Sequence, residues 1–239
     1  MLSVLAPEVL TSLAVYDNPM LEDVGVFAPL RGLRGLSLFN CRAVTDLSAL
    51  APLRLRDLTL RGVGGLAGLC ALTTLRAAAI RQPLPGNDLR VGLPASAPLE
   101  VLFLSRGAIA MTGLRCLDHW PLLTALHLGP AVGPLTVEDC HQVAAQPALT
   151  DLYLHNSLLP EVAHAPAMPG IEALHLSQMH GAEDLGELPR VLPPPPGAHP
   201  AHRLRQEISR RPLHRPLLHG ARHRHRNRVM PACRRQPHN

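Results

Sequence analysis

Leucine recurs in this chain with the spacing L-x-x-L-x-L at near-constant intervals, and no other feature limits the possible folds so strongly. Copies begin at Leu10, Leu33, Leu55, Leu75, Leu99, Leu123, Leu149 and Ile171, at steps of 23, 22, 20, 24, 24, 26 and 22 residues. Eight copies supply 24 positions at offsets 1, 4 and 6. Leu fills 20 of them, and Val15, Ala78, Ile80 and Ile171 fill the rest. With 41 Leu among residues 1–189, random placement would fill roughly five. A period of this length marks a repeat array rather than a single globular core. In an extended segment alternate side chains point the same way, so offsets 4 and 6 face one side together. One such strand cannot bury its leucines alone. Stacking copy on copy buries a continuous apolar column and pairs each strand in parallel with the next.

The intervening segments carry their own apolar spacing, as in Asp46-Leu47-Ser-Ala-Leu50-Ala-Pro-Leu53 and Leu66-Ala-Gly-Leu69-Cys-Ala-Leu72. That spacing predicts short helical or 3-10 turns on the side opposite the strands. Offset 9 begins with Asn18 and Cys41, small polar side chains suited to a turn, and then loses the pattern.

The clearest copies are Leu33-Arg-Gly-Leu36-Ser-Leu38-Phe-Asn-Cys41 and Leu149-Thr-Asp-Leu152-Tyr-Leu154-His-Asn-Ser157. On these residues the chain resembles leucine-rich repeat proteins over residues ~8–189, and its spacing resembles their short bacterial, internalin-like class. The resemblance implies an α/β fold: a leucine-rich repeat solenoid with a parallel concave sheet and short helical or 3-10 convex segments. The Leu/Ala/Arg-rich composition further resembles arrays at the C-terminal end of actinobacterial NACHT-type signalling NTPases. Neither end of the array shows a polar cap, which points to a fragment, or a misplaced start, of something longer.

Composition narrows the chemistry. The chain has 23 Arg and no Lys. That excludes a phosphate-loop lysine and a Schiff-base lysine, so no NTPase activity transfers to these residues. Six bulky aromatics are too few for a nucleic-acid stacking surface. The five cysteines are odd in number and widely spaced. They read as buried thiols of a reducing cytoplasm rather than a disulfide framework or zinc site. The N-terminal residues lack the positive flank and long apolar core expected of a signal peptide, and no apolar run reaches the ~20 residues of a membrane span. The expected location is cytoplasmic.

Charge divides the chain near Arg190. Residues 1–189 hold 11 Arg and 17 acids, net −6; residues 190–239 hold 12 Arg and Glu207, net +11. Residues 1–189 are therefore expected to form the solenoid, and 190–239 a disordered basic Pro/Arg/His-rich tail. That vocabulary is also what a high-GC gene yields when read in a shifted frame. As alternatives, the tail would contact nucleic acid through phosphates, or hold a metal loosely through His219, His223 and His225.

If offsets 4 and 6 point inward, offsets 3, 5 and 7 line the concave face. Offset 5 reads Ala14, Ser37, Thr59, Ala79, Phe103, His127, Tyr153, His175, and offset 7 includes Arg61, Arg81 and His155. Phe103, His127, Tyr153, His155 and His175 thus gather on neighbouring strands ~4.8 Å apart. Amphipathic rings on a rigid sheet suit a protein partner. Arg61 and Arg81, on the other half, predict rim-like, salt-sensitive attraction to an acidic partner. Three imidazoles predict binding that changes between about pH 5.5 and 7.5. A metal site is not expected, since alternate-strand histidines lie on the order of 10 Å apart. A hydrolase built from Ser105, His127 and Asp151 lacks a nucleophile elbow. The function expected is therefore a non-catalytic protein-binding module without a cofactor. The alternatives are a regulatory fragment of a larger signalling NTPase, or nucleic-acid contact through the tail.

Overall fold

The computed structural model describes residues 8–84, 92–105, 114, 116–129, 136–155 and 166–177. Eight strands follow one another: β1 Ser12–Tyr16, β2 Gly35–Phe39, β3 Asp57–Arg61, β4 Ala77–Ile80, β5 Val101–Leu104, β6 Ala125–Leu128, β7 Asp151–His155 and β8 Ala173–Ser177. Every strand begins at offset 3 of one motif copy. They form one sheet in sequence order, and each neighbouring pair is parallel. Like offset meets like offset throughout. Leu36 pairs with Leu58, Leu102 with Leu126, and Leu126 with Leu152. Repeat lengths that differ by up to six residues are thus absorbed entirely between strands.

A backbone device sets that register. The offset-2 carbonyl of each repeat accepts two N–H groups, from offsets 2 and 3 of the next. Thr11 O accepts Arg34 N at 2.8 Å and Gly35 N at 2.9 Å, and the pattern recurs at Arg34, Arg56, Arg76, Glu100, Thr124 and Thr150. A carbonyl has two lone pairs, and here both are used.

Behind the sheet runs the leucine column. Leu36, Leu38, Leu58, Leu60, Leu102, Leu104, Leu126, Leu128, Leu152 and Leu154 are all buried, as are Ala78 and Ile80. Each such leucine contributes about 1.5–3 kcal/mol relative to an exposed one. On β1 and β8 the same offsets, Leu13, Val15, Leu174 and Leu176, are only partly buried. Short 3-10 turns at Val24–Phe27, Ser48–Leu53, Leu69–Ala71 and Leu117–His119 close the column, burying Phe27, Leu50, Leu53, Leu69 and Leu117. Trp120, the single Trp, is fully buried and donates its Nε1–H to Pro94 O at 3.0 Å.

Helix α1 (Val137–Ala144) carries a capping box between Thr136 and Asp139. The Asp139 carboxylate also accepts the buried N–H of Leu114 at 2.7 Å, tying the helix to the preceding repeat. The residue after β1, β2 and β3 is left-handed: Asp17, Asn40 and Gly62 have φ of 49°, 54° and 68°. Asp, Asn and Gly are the residues that tolerate this region. Two residues on, Gly64 lies so close to the carbonyl of Arg42 that a Cβ would collide with it.

The expectation of uniformly buried thiols is corrected at one position. Cys41, Cys116 and Cys140 are buried, but Cys70 is exposed on its 3-10 turn. The boundary near Arg190 and the basic tail lie outside the described residues, as does Cys233. Among the described residues no helix is long and apolar enough to cross a membrane.

Candidate functional site

The leucines occupy one face of the sheet, so offsets 3, 5 and 7 occupy the other. On β5 and β6 the alternation is strict: Leu102, Leu104, Leu126 and Leu128 are buried, while Phe103 and His127 are half-buried. Because register is exact in offset, the rings at offset 5 align across strands. Phe103 pairs with His127, His127 with Tyr153, and Tyr153 with His175.

The rings form a ladder. Phe103 and His127 lie 5.6 Å apart with planes tilted 30°. His127 and Tyr153 stack at 3.8 Å and 7°, and Tyr153 and His175 at 4.0 Å and 1°. The Arg81 guanidinium carbon caps the row, 4.6 Å from the Phe103 centroid. Ring pairs contribute about 0.5–1.5 kcal/mol each beyond burial, and an exposed cation–π contact about 0.5–1 kcal/mol. The ladder therefore holds its own shape before any partner arrives.

Stacking also fixes the electrostatics. Between two rings, His127 has lost water from both faces, and the neighbouring His175 opposes a second positive charge. Against the weaker pull of Asp151, its imidazole is held down to about 4. Burial, and then the Asp151 charge, push the Tyr153 phenol above its ordinary value. At neutral pH the centre of the ladder is thus an uncharged imidazole beside a protonated phenol. The Asp151 carboxylate accepts the Thr150 hydroxyl at 2.6 Å.

Four of the residues singled out by sequence, Phe103, His127, Tyr153 and His175, come together as one surface. Two expectations change. Arg81 joins the ring ladder instead of forming a separate rim with Arg61, because its side chain crosses to the next strand and covers Phe103. His127 does not titrate between pH 5.5 and 7.5, because its stacked position excludes the charged form. The side chain of His155 lies outside the described residues. A second ring pair was not anticipated: Tyr16 and Phe39, on β1 and β2, stack at 4.7 Å and 4°. Both stand at offset 7, which was the available signal. Tyr16 is 62% exposed. Ser105 is buried. Among the described residues no group of three or more His, Cys, Asp or Glu side chains is placed to hold a metal.

Eight parallel strands in sequence order, one per leucine motif, with their leucines in a single buried column, decide the architecture. The chain folds as a leucine-rich repeat solenoid. No protein-family model matches it, and no curated protein matches it. Among solved structures the solenoid is similar to internalin C2 from Listeria monocytogenes, at 21% sequence identity and a TM-score of 0.38. The match covers 70% of this chain and 61% of that one, so this chain spans about three-fifths of the length of that structure. A likeness so distant carries no argument; the fold rests on the sheet, its register and its leucine column.

Proposed function

We propose that this solenoid is a non-catalytic protein-binding module of the cytoplasm that holds its partner against the exposed face of the sheet. The observation that carries the reading is the ladder Arg81–Phe103–His127–Tyr153–His175. Its rings use their faces on one another and turn their edges outward. Rigid aromatic side chains lose little conformational freedom on binding, which suits them as anchors. The polar groups of His127, Tyr153 and His175 sit on three successive strands and supply directional contacts. Nothing in the leucine column requires rings at offset 5, since Ala14, Ser37, Thr59 and Ala79 fill it on β1–β4.

The test is a displayed library of random dodecapeptides selected on the full-length chain. Selected peptides should bind Phe103→Ala and Tyr153→Ala at least about tenfold more weakly. They should bind Val26→Ser, altered on an exposed 3-10 turn, as well as the parent. Tyr153→Phe keeps the ring and separates loss of the hydroxyl from loss of the stack. Peptides that bind Phe103→Ala, Tyr153→Ala and parent equally would refute the reading.

A further inference from the structure

One carboxylate stands beside the ring ladder. On the exposed face of β5–β8, Asp151 is the one acid among the described side chains, and no arginine shares that half of the sheet. Its neighbours in register are Ala125 on β6 and Ala173 on β8. Both are too short to cover it, and Asp151 stays partly exposed. Its charge is felt at His127 and at Tyr153, the two central rings. Resting on the reading of this face as a binding surface, we infer that the partner presents a cationic polypeptide segment, with an arginine guanidinium on Asp151 beside the edges of His127 and Tyr153.

Charge supports this choice. All 11 Arg of residues 1–189 lie between Arg31 and Arg115, whereas residues 116–177 hold six acids and no Arg. Among the described residues Asp151 makes no ion pair, and its one hydrogen bond is the Thr150 hydroxyl on Oδ2. That bond does not account for the carboxylate. The Thr150 hydroxyl also lies 3.4 Å from Thr124 O, and Thr124, at the same offset, donates its own hydroxyl to Glu100 O at 3.0 Å. A backbone carbonyl thus serves that position without an acid. Asp is disfavoured in strands, and a carboxylate half out of water without a countercharge costs free energy. A bound cation removes that cost.

The surroundings select arginine on a polypeptide. Asp151 Oδ1 accepts no hydrogen bond among the described residues. Tyr153, two residues on and ~7 Å along the strand, offers its hydroxyl oxygen. His127 is uncharged at neutral pH, so it neither repels a cation nor neutralises Asp151, and an uncharged imidazole keeps one acceptor nitrogen. A guanidinium brings five donors and no acceptor in a planar fork that fits a carboxylate. Arg81 covers the Phe103 end of the ladder, which leaves β6–β8 for the partner. Apolar side chains flanking the arginine pack on the rings, and a free polyamine has none. Phosphates would meet the carboxylate and the surrounding excess of acids, which sets nucleic acid aside.

The test uses the full-length chain and fluorescein-labelled decapeptides in which Leu alternates with Arg, with its neutral isostere citrulline, or with Glu, read by fluorescence anisotropy. Residues 190–239 carry net +11 and repel the Arg peptide, so they cannot account for its binding. The Arg peptide should bind tightest and the Glu peptide weakest. Asp151→Asn should weaken the Arg peptide roughly fivefold, with a shallower salt dependence, and leave the citrulline peptide unchanged. Asp151→Glu keeps the charge and should keep the preference for Arg over citrulline. Glu138→Gln removes an equal charge from exposed α1 and should change nothing. Equal binding of the Arg and citrulline peptides, or Arg-peptide binding that is the same in Asp151→Asn and parent, would overturn the inference. If library-selected peptides require Tyr153, carry no basic bias and ignore Asp151→Asn, this inference fails while the sheet face remains the binding site.

Discussion

Leu126→Ala and Leu13→Ala remove the same three carbons at the same motif offset, yet they should differ sharply in cost. Leu126 is fully buried at the centre of the column, between Leu102 on β5 and Leu152 on β7. Withdrawing three methylene equivalents from this site loses ~2.4 kcal/mol of transfer free energy. Neighbouring leucines are held by their own strands and close the space only in part, so the residual cavity raises the total to ~3–5 kcal/mol. Leu13 lies on β1, the first strand of the sheet, and is partly buried. With part of its surface already wet and no full cage to leave behind, its truncation should cost ~1–2 kcal/mol. Urea unfolding followed by circular dichroism and by the emission of the buried Trp120 gives both values. Because repeats couple mainly to their neighbours, native-state hydrogen exchange of Leu126→Ala should show protection lost in β5–β8 before β1–β3. Equal costs for the two variants, or uniform loss of protection over all eight strands, would refute a one-dimensional leucine column.

The His127 pKa gives a pH prediction. Folded His127 is held to about 4, whereas the unfolded imidazole takes up a proton near ~6.5. Between these values the unfolded state binds more protons, so stability is full above pH ~6.5 and falls as pH drops toward 4. The bound is about 3 kcal/mol, which partial exposure of the ring reduces to ~1–2 kcal/mol. His127→Phe keeps a stackable ring and should lose that fraction of the acid sensitivity in urea midpoints at pH 7 and 5; identical pH dependence in both proteins would show that His127 is not excluded from protonation. A second prediction concerns Asp139, whose carboxylate accepts the Thr136 N–H at 2.9 Å and the buried Leu114 N–H at 2.7 Å. Asp139→Ala strands that donor and removes the carboxylate half of the capping box, and should cost ~2–4 kcal/mol in urea unfolding. By contrast Glu100→Ala breaks an exposed ion pair and should cost less than ~1 kcal/mol; the reverse order of the two would contradict the placement of α1.

The strands were legible because a single physical demand, burial of offsets 1, 4 and 6, repeats eight times and survives the substitutions Ala78 and Ile80. The 3-10 turns followed from the apolar spacing of Leu47–Leu53 and Leu66–Leu72 in the same way. Side-chain direction was not legible. Offsets place Arg81 beside Arg61, and only the rotamer that lays its guanidinium over Phe103 moves it into the ring ladder. Nor does spacing report burial of a ring between two others, which is what holds His127 neutral. Two local signals were present but overshadowed by the leucines. Thr136-Val-Glu-Asp139 is a capping box, and Asp17, Asn40 and Gly62 recur at offset 8, where the chain turns left-handed.

Central to this account is that a partner lies on the sheet face, along the rings. Histidine proton resonances test it directly, because the candidates stand on different surfaces. His127 and His175 belong to the ladder, while His119 and His141 are exposed on the 3-10 turn and on α1. The ε1 protons are assigned by single His→Gln substitutions, and a library-selected peptide is titrated into the full-length chain. The account predicts saturable shifts of His127 and His175 with His119 and His141 unmoved. Shifts confined to His119 or His141 would place the partner off the sheet face and contradict it.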